Sequence, residues 1–370
     1  MPAPFVPGLE LAGALFAEVV SPLLAEAFPR LPYAAALLGP GSEVLGYDSV
    51  RSTDHNWGPR LQLFLAADDA DDHAAGISAM LASRLPASFR GYATAFPSTE
   101  EPDGLARHRV MVTELRAWLT GQLGFDPREP ITVADWLATP TQRLAEVTAG
   151  AVFHDGPGGL SQARTRLSWY PRDVWLYVLA CQWQRIAQEE AFPGRCAEAG
   201  DELGSAIVTA RLARDLMRLC LLMRQRYPPY SKWLGTAFAQ LPEAAAVAPH
   251  LTAAVAATSW PARQRHLGQV CETVAGMHNE LGITQPLNTR TRGYFDRPYQ
   301  VLDAGRFTAA LREAITDPVI RQLSAAGAVD QFIDSTDALG NTGFLRAAIA
   351  GELPEIRLAG RQSEQRDLAS

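Results

Sequence analysis

Apolar residues recur at helical spacing over residues 10–27, with Leu11, Leu15, Val19, Leu23 and Leu24 on one side. That spacing predicts a helix with one buried face. Glu10, Glu18 and Glu26 interrupt the stretch at helical intervals, and Pro29 and Pro32 end it. Residues 33–38 are wholly apolar and of strand length, followed by the tight turn Gly39-Pro40-Gly41-Ser42. The period then switches to two. Over residues 59–65, Leu61, Leu63 and Leu65 alternate with Arg60, Gln62 and Phe64, which predicts a strand with one face buried. Residues 74–84 read as a helix. Residues 107–115 read as a second strand, with Val110 and Val112 on one face and Arg109, Met111 and Thr113 on the other.

From about residue 135 helical periodicity takes over, through residues 134–149, 172–190, 200–226, 230–240, 261–281 and 307–315. Joints containing Pro and Gly separate these segments. The predicted class is α+β. A mixed sheet with helices occupies residues 1–130, a mostly α-helical bundle domain residues 131–355, and a polar tail residues 356–370.

Composition narrows the partners. A net charge of −7 and a pI near 5.6 argue against a duplex nucleic-acid ligand, which usually needs a basic face. The acidic interruptions of the first helix mark it as amphipathic, neither a signal peptide nor a membrane span. The four cysteines, Cys181, Cys196, Cys220 and Cys271, form no C-x-x-C pair and read as free thiols of a reducing compartment. The expectation is a soluble, cytoplasmic protein. Among 33 Lys and Arg residues a single one is lysine, Lys232.

The chemistry concentrates in residues 41–60. Gly41 lets main-chain amides approach an anion, and the Ser42 hydroxyl can donate to a phosphate oxygen. Asp54 and Asn56 are two apart. In an extended stretch both face one way, a pair of oxygen ligands suited to magnesium. Arg60 falls on the same face as a phosphate clamp. Asp48 reads as a turn cap and His55 as a core or hinge residue. His108 and His154 lack partners at metal-ligand spacing, and residues 154–159 read as a loop.

Gly-Ser followed by Asp-x-[acid] resembles the signature of the polymerase-β-like nucleotidyltransferase superfamily. More narrowly, Gly41-Ser42-x-x-x-Gly46-x-Asp48, with Ser52-x-Asp54-His55-x-Trp57-Gly58-Pro59-Arg60, resembles an uncharacterised bacterial family of that fold. Residues 169–175 (Trp-Tyr-Pro-Arg-Asp-Val-Trp) and 230–235 (Tyr-Ser-Lys-Trp-Leu-Gly) extend the likeness. The resemblance implies that Gly41 and Ser42 hold nucleotide phosphates and that Asp54 and its neighbour hold magnesium during nucleotidyl transfer. This chain departs from the pattern at two positions. Asn56 stands where a second carboxylate is expected, and Met111 occupies the strand face expected to carry a third, with Glu114 just beyond.

In the helical domain Arg211, Arg214, Asp215 and Arg218 form a helical stripe, either a solvated ion-paired face or a phosphate-binding one. Arg214 and Arg218 are the phosphate candidates. The resemblance implies a carboxylate base from this domain, for which Glu189 or Glu190 is placed. Lys232, flanked by aromatics, is a candidate for phosphate contact or catalysis, because lysine is a compact donor that arginine does not imitate. The leading expectation is transfer of a nucleotidyl group from a nucleoside triphosphate to a small-molecule acceptor. Asn56 and Met111 leave two alternatives: metal-independent chemistry on a small biosynthetic intermediate, or a degenerate binding domain.

Overall fold

The computed structural model describes residues 5–54, 57–97 and 106–350, with the Asp54 side chain outside that set. The fold is α+β, and the chain divides into two units. One comprises residues 1–131 and 143–168, the other residues 132–142 and 169–370.

The first unit is built on a five-stranded mixed sheet. Its strands are β1 (Ala34–Leu37), β2 (Arg60–Leu65), β5 (Ala95–Pro97), β6 (Ala106–Glu114) and β7 (Ala151–Asp155), in the order β5-β6-β2-β1-β7. A two-residue hairpin, β3 (Ser88–Phe89) with β4 (Tyr92–Ala93), stands apart from it. β2 runs parallel to β6, and β1 is antiparallel to both β2 and β7. The pairing of β7 with β1 explains why residues 143–168 belong to this unit instead of continuing the helical domain from residue 131. It also replaces the loop expected at His154 and Asp155 with an edge strand.

The predicted first helix forms in three pieces: α1 (Gly8–Leu15), a π-helical turn (Phe16–Val20) and α2 (Ser21–Ala27). Pro22 has no N–H to return to the preceding turn, and the Ser21 N–H reaches back five residues to the Phe16 carbonyl. Leu11, Leu15, Val20 and Leu24 pack with Leu61, Leu63 and Leu65 of β2, Val110 of β6, and Ile77 and Leu81 of α3 (Ala67–Arg84). Residues 8–27 are long and apolar enough to cross a membrane, a test that the core helix of a soluble protein also passes. Here its leucines line the sheet core, and Glu18 and Glu26 pair with Arg90 and Arg84 at 2.6 and 2.7 Å. The opposite sheet face begins with Phe64, which meets Trp118 of α4 (Leu115–Leu123) edge-on at 5.1 Å.

The helix expected over residues 134–149 breaks into α5 (Val133–Ala138) and α6 (Thr141–Thr148), because Pro140 cannot continue it. α7 (Gly159–Arg166) completes the sheet unit. The helical unit contains α8 (Arg172–Glu189), α9 (Phe192–Glu198), α10 (Glu202–Met223), α11 (Ser231–Ala239), α12 (Ala244–Ala256), α13 (Trp260–Glu280) and α14 (Gly305–Ala314). Shorter helices follow to Ala350. Its centre includes Trp183 stacked on Phe307 at 4.4 Å, both fully buried.

Candidate functional site

The glycine-serine turn forms where β1 runs out of sheet partners. Gln62 supplies what the sheet no longer does: its side chain accepts from the Leu38 N–H and donates to the Leu38 carbonyl, each at 3.0 Å. Arg60, two residues earlier on the same face, donates from Nε to Glu43 at 2.7 Å and from Nη2 to the Pro40 carbonyl at 2.7 Å. Glu43 is buried. A Cβ at Gly41 would fall on the Arg60 guanidinium and 2.7 Å from Glu43 Oε2, so any side chain there would displace the ion pair. The half-buried Ser42 accepts the Tyr47 N–H on its carbonyl at 2.8 Å, and its hydroxyl bonds to no described residue. Arg60, expected from sequence as a phosphate clamp, is thus bound to the back wall of the turn through Glu43 and Pro40.

The rest of the motif is equally committed. Asp48 accepts from the Gly8 N–H at 2.7 Å, at the start of α1, and from Trp57 Nε1 at 3.0 Å. Trp57 is buried and meets Tyr92 edge-on at 4.9 Å. Gly58 leaves room for Phe96, whose ring would lie 2.8 Å from a Cβ there. The extended backbone expected for Asp54 is not found. Residues Val50–Asp54 form a 3-10 helix held by local hydroxyl bonds: Ser52 Oγ accepts the Ser49 N–H at 3.1 Å, and Thr53 Oγ1 donates to the Val50 carbonyl at 2.9 Å. Asn56 and His55 lie outside the described residues.

The pairing of β2 with β6 sets Arg60 opposite Arg109, Gln62 opposite Met111 and Leu65 opposite Glu114. Arg109 thus shares the Arg60 face, and Glu114 ends the leucine face. The Arg109 guanidinium lies 4.1 Å from the centroid of the Phe96 ring and makes no hydrogen bond or ion pair to a described residue. Burial first, then the charge of Arg60, pull its pKa below the ordinary arginine value, and Glu43 partly offsets them. The sequence sets Arg109 opposite Val110 on its own strand, and only the pairing of β2 with β6 brings it beside Arg60.

Magnesium asks for converging oxygens. No group of three His, Cys, Asp or Glu side chains able to hold a metal occurs among the described residues. At the turn the buried carboxylate, Glu43, is neutralised by Arg60, and the neighbouring strand offers Arg109 and a half-exposed Met111. The ligands expected for magnesium, the Asp54 carboxylate and Asn56, lie outside the described side chains.

In the helical unit each candidate has its own local role. Glu189 receives both Arg211 nitrogens, at 2.6 and 3.1 Å. Arg214 lies 3.4 Å from Asp215 and 3.6 Å from Asp334, and Arg218 donates to Asp330 at 2.8 Å. Lys232 is exposed near the start of α11, 5.0 Å from the centroid of the Trp233 ring. Glu190 accepts the N–H groups of Leu302, Asp303 and Ala304 at 2.8 to 3.1 Å, fixing the start of α14. Burial pushes its pKa up against the pull of those donors. The stripe of Arg211, Arg214 and Arg218 is thus an ion-paired face, its charges engaged within the unit. His108 bonds the Ser78 carbonyl at 3.0 Å, and His154 packs on Tyr33 at 4.6 Å between ring centres.

The pattern of a domain of unknown function, DUF4037, matches residues 136–234. The crystal structure of a nucleotidyltransferase-like protein from Exiguobacterium sibiricum 255-15 is similar over 83% of this chain and 89% of that one, at 10% identity and a TM-score of 0.32. No curated protein matches the sequence.

Proposed function

We propose that this chain is a nucleotide-dependent transferase. The sheet unit holds the phosphate chain of a nucleoside triphosphate at Gly41 and Ser42, and the nucleotidyl group passes to a small-molecule acceptor. The observation that supports this reading is the turn itself. It offers a Ser42 hydroxyl with no bond to a described residue. The buried Glu43–Arg60 pair fixes it from behind. Main-chain N–H groups and a hydroxyl held in place suit phosphate oxygens without reorganisation.

In the transfer, an acceptor hydroxyl or amine bonds to the α-phosphorus. The bond from that phosphorus to the bridging oxygen breaks, pyrophosphate leaves, and the acceptor proton passes to a base. The carboxylate proposed for that proton is Glu189 or Glu190, the base that the resemblance implies. The catalytic contribution is positioning and charge stabilisation. The net charge of −7 favours a small acceptor over a nucleic acid.

The test is pyrophosphate release with each nucleoside triphosphate against a panel of hydroxylated and amino acceptors, beside calorimetric nucleotide binding. Turnover that drops with Ser42→Ala supports the reading. Absence of both binding and turnover overturns it.

A further inference from the structure

The resting charge of the candidate site points to how a phosphate is neutralised there, an inference that rests on the phosphate-binding reading of the turn. We propose that Arg109 is the ligand-contacting cation of this site and stands in for a divalent metal, so that the nucleotide phosphate is bound directly.

Three independent observations carry it. The first is placement. Arg109 is the register partner of Arg60 across β2 and β6, beside the exposed Met111.

The second is availability. Arg60 is spent on Glu43 and the Pro40 carbonyl. The half-buried Arg109 guanidinium has no polar partner among the described residues. It is nevertheless held over the Phe96 ring, which is itself seated on Gly58. A guanidinium held by cation–π contact keeps its planar fork of donors free for two phosphate oxygens. Holding it before the ligand arrives lowers the entropy lost on binding.

The third is charge. Glu43 cancels Arg60, and Arg109 leaves this group of three with one positive charge in excess. That excess attracts a phosphate. The tandem Gly58 and Arg60 of the motif then acquire a joint purpose: one seats the ring under Arg109, the other closes the turn beside it.

The experiment is calorimetric titration of the full chain with ATP and with pyrophosphate, in magnesium and in excess chelator. It compares the wild type, Arg109→Gln, Arg109→Lys and Ser42→Ala, with thermal unfolding of each as a folding control. Wild-type affinity should be unchanged within a factor of two by the chelator. Arg109→Gln should weaken binding at least tenfold, and Arg109→Lys should recover part of it. Binding that disappears in chelator, or that is indifferent to Arg109→Gln while Ser42→Ala abolishes it, overturns the role of Arg109 and leaves the turn standing. If the wild type binds neither probe, both readings fall. Should Arg109→Gln not fold, Arg109→Lys decides: weakened binding supports the role, and wild-type affinity there overturns it.

Discussion

Arg60 and Glu43 meet 17 residues apart in the chain, with nitrogen and oxygen 2.6 Å from one another and the carboxylate almost wholly out of water. This contact determines the shape of the glycine-serine turn, the identity of residue 41 and the fate of the arginine that closes the motif. Glu43→Gln should destabilise the protein by about 3 kcal/mol, the usual consequence of leaving a buried charge uncompensated. The double variant with Arg60→Met should recover part of the loss. Urea unfolding of the two variants checks this, and an unchanged midpoint for Glu43→Gln would count against the pair as the brace of the turn.

Two glycines should respond in opposite directions. Gly41→Ala places a methyl against the Arg60 guanidinium and should cost roughly 1–3 kcal/mol while weakening any anion bound at the turn. Gly121, inside α4, has nothing within 4 Å of the corresponding position. Gly121→Ala should therefore stabilise by about 0.5–1 kcal/mol through helix propensity alone. Thermal melts of the pair make the comparison.

Arg218 should matter to stability and not to nucleotide affinity. Its partner Asp330 also accepts from the Thr141 N–H at 3.1 Å and from the Thr141 hydroxyl. Asp330→Asn should cost about 3 kcal/mol by stranding the arginine. Arg218→Met, tested by the same titrations as Arg109, should bind ATP as the wild type does. Loss of affinity there would return the arginine stripe to the binding site.

Below neutrality the protein should weaken through His278. Burial holds its imidazole at about 4 against an ordinary 6.5, with Trp183 Nε1 donating to Nδ1 at 3.3 Å. Between those values the unfolded chain takes up a proton that the folded one refuses. The stability present above pH 6.5 is therefore lost as the pH falls towards 4, about 3 kcal/mol in all. Glu190, with its raised pKa, contributes in the opposite sense. The informative quantity is therefore the difference between wild type and His278→Gln in chemical denaturation at pH 4.5 and 7. A gap that does not shrink at the lower pH would contradict the assignment.

Thiol reactivity should be confined to one site. Burial pushes Cys181 and Cys220 up to about 12 and Cys271 up as well, whereas Cys196 is only half-buried. A thiol-reactive probe on the native protein should label one equivalent quickly, and Cys196→Ser should remove that phase. Fast labelling of a second thiol would mean that the helical unit opens more readily than its packing implies.

Much of the fold was readable from periodicity, because burial imposes its period on the residues themselves. The alternating leucines of β2 and the helical leucines of α1 and α2 meet in one core. Short-range competition hid other elements. The hydroxyls of Ser49, Ser52 and Thr53 draw the backbone before Asp54 into a 3-10 helix, although the acid spacing suggested a strand. β7 was missed because a short edge strand carrying His154 and Asp155 has no clean alternation and becomes a strand only by pairing with β1.

From the chain alone, then, come the α+β class, the turn after the first strand and the alternation that sets Arg60 and Arg109 each on one face of its own strand, since these follow from local period and glycine chemistry; that the two faces coincide comes from the pairing of β2 with β6. Which arginine is consumed and which is left to meet a ligand depends on Glu43 and Phe96. They lie far from either arginine in sequence or on another strand, and their contacts exist only once the sheet has closed around the turn.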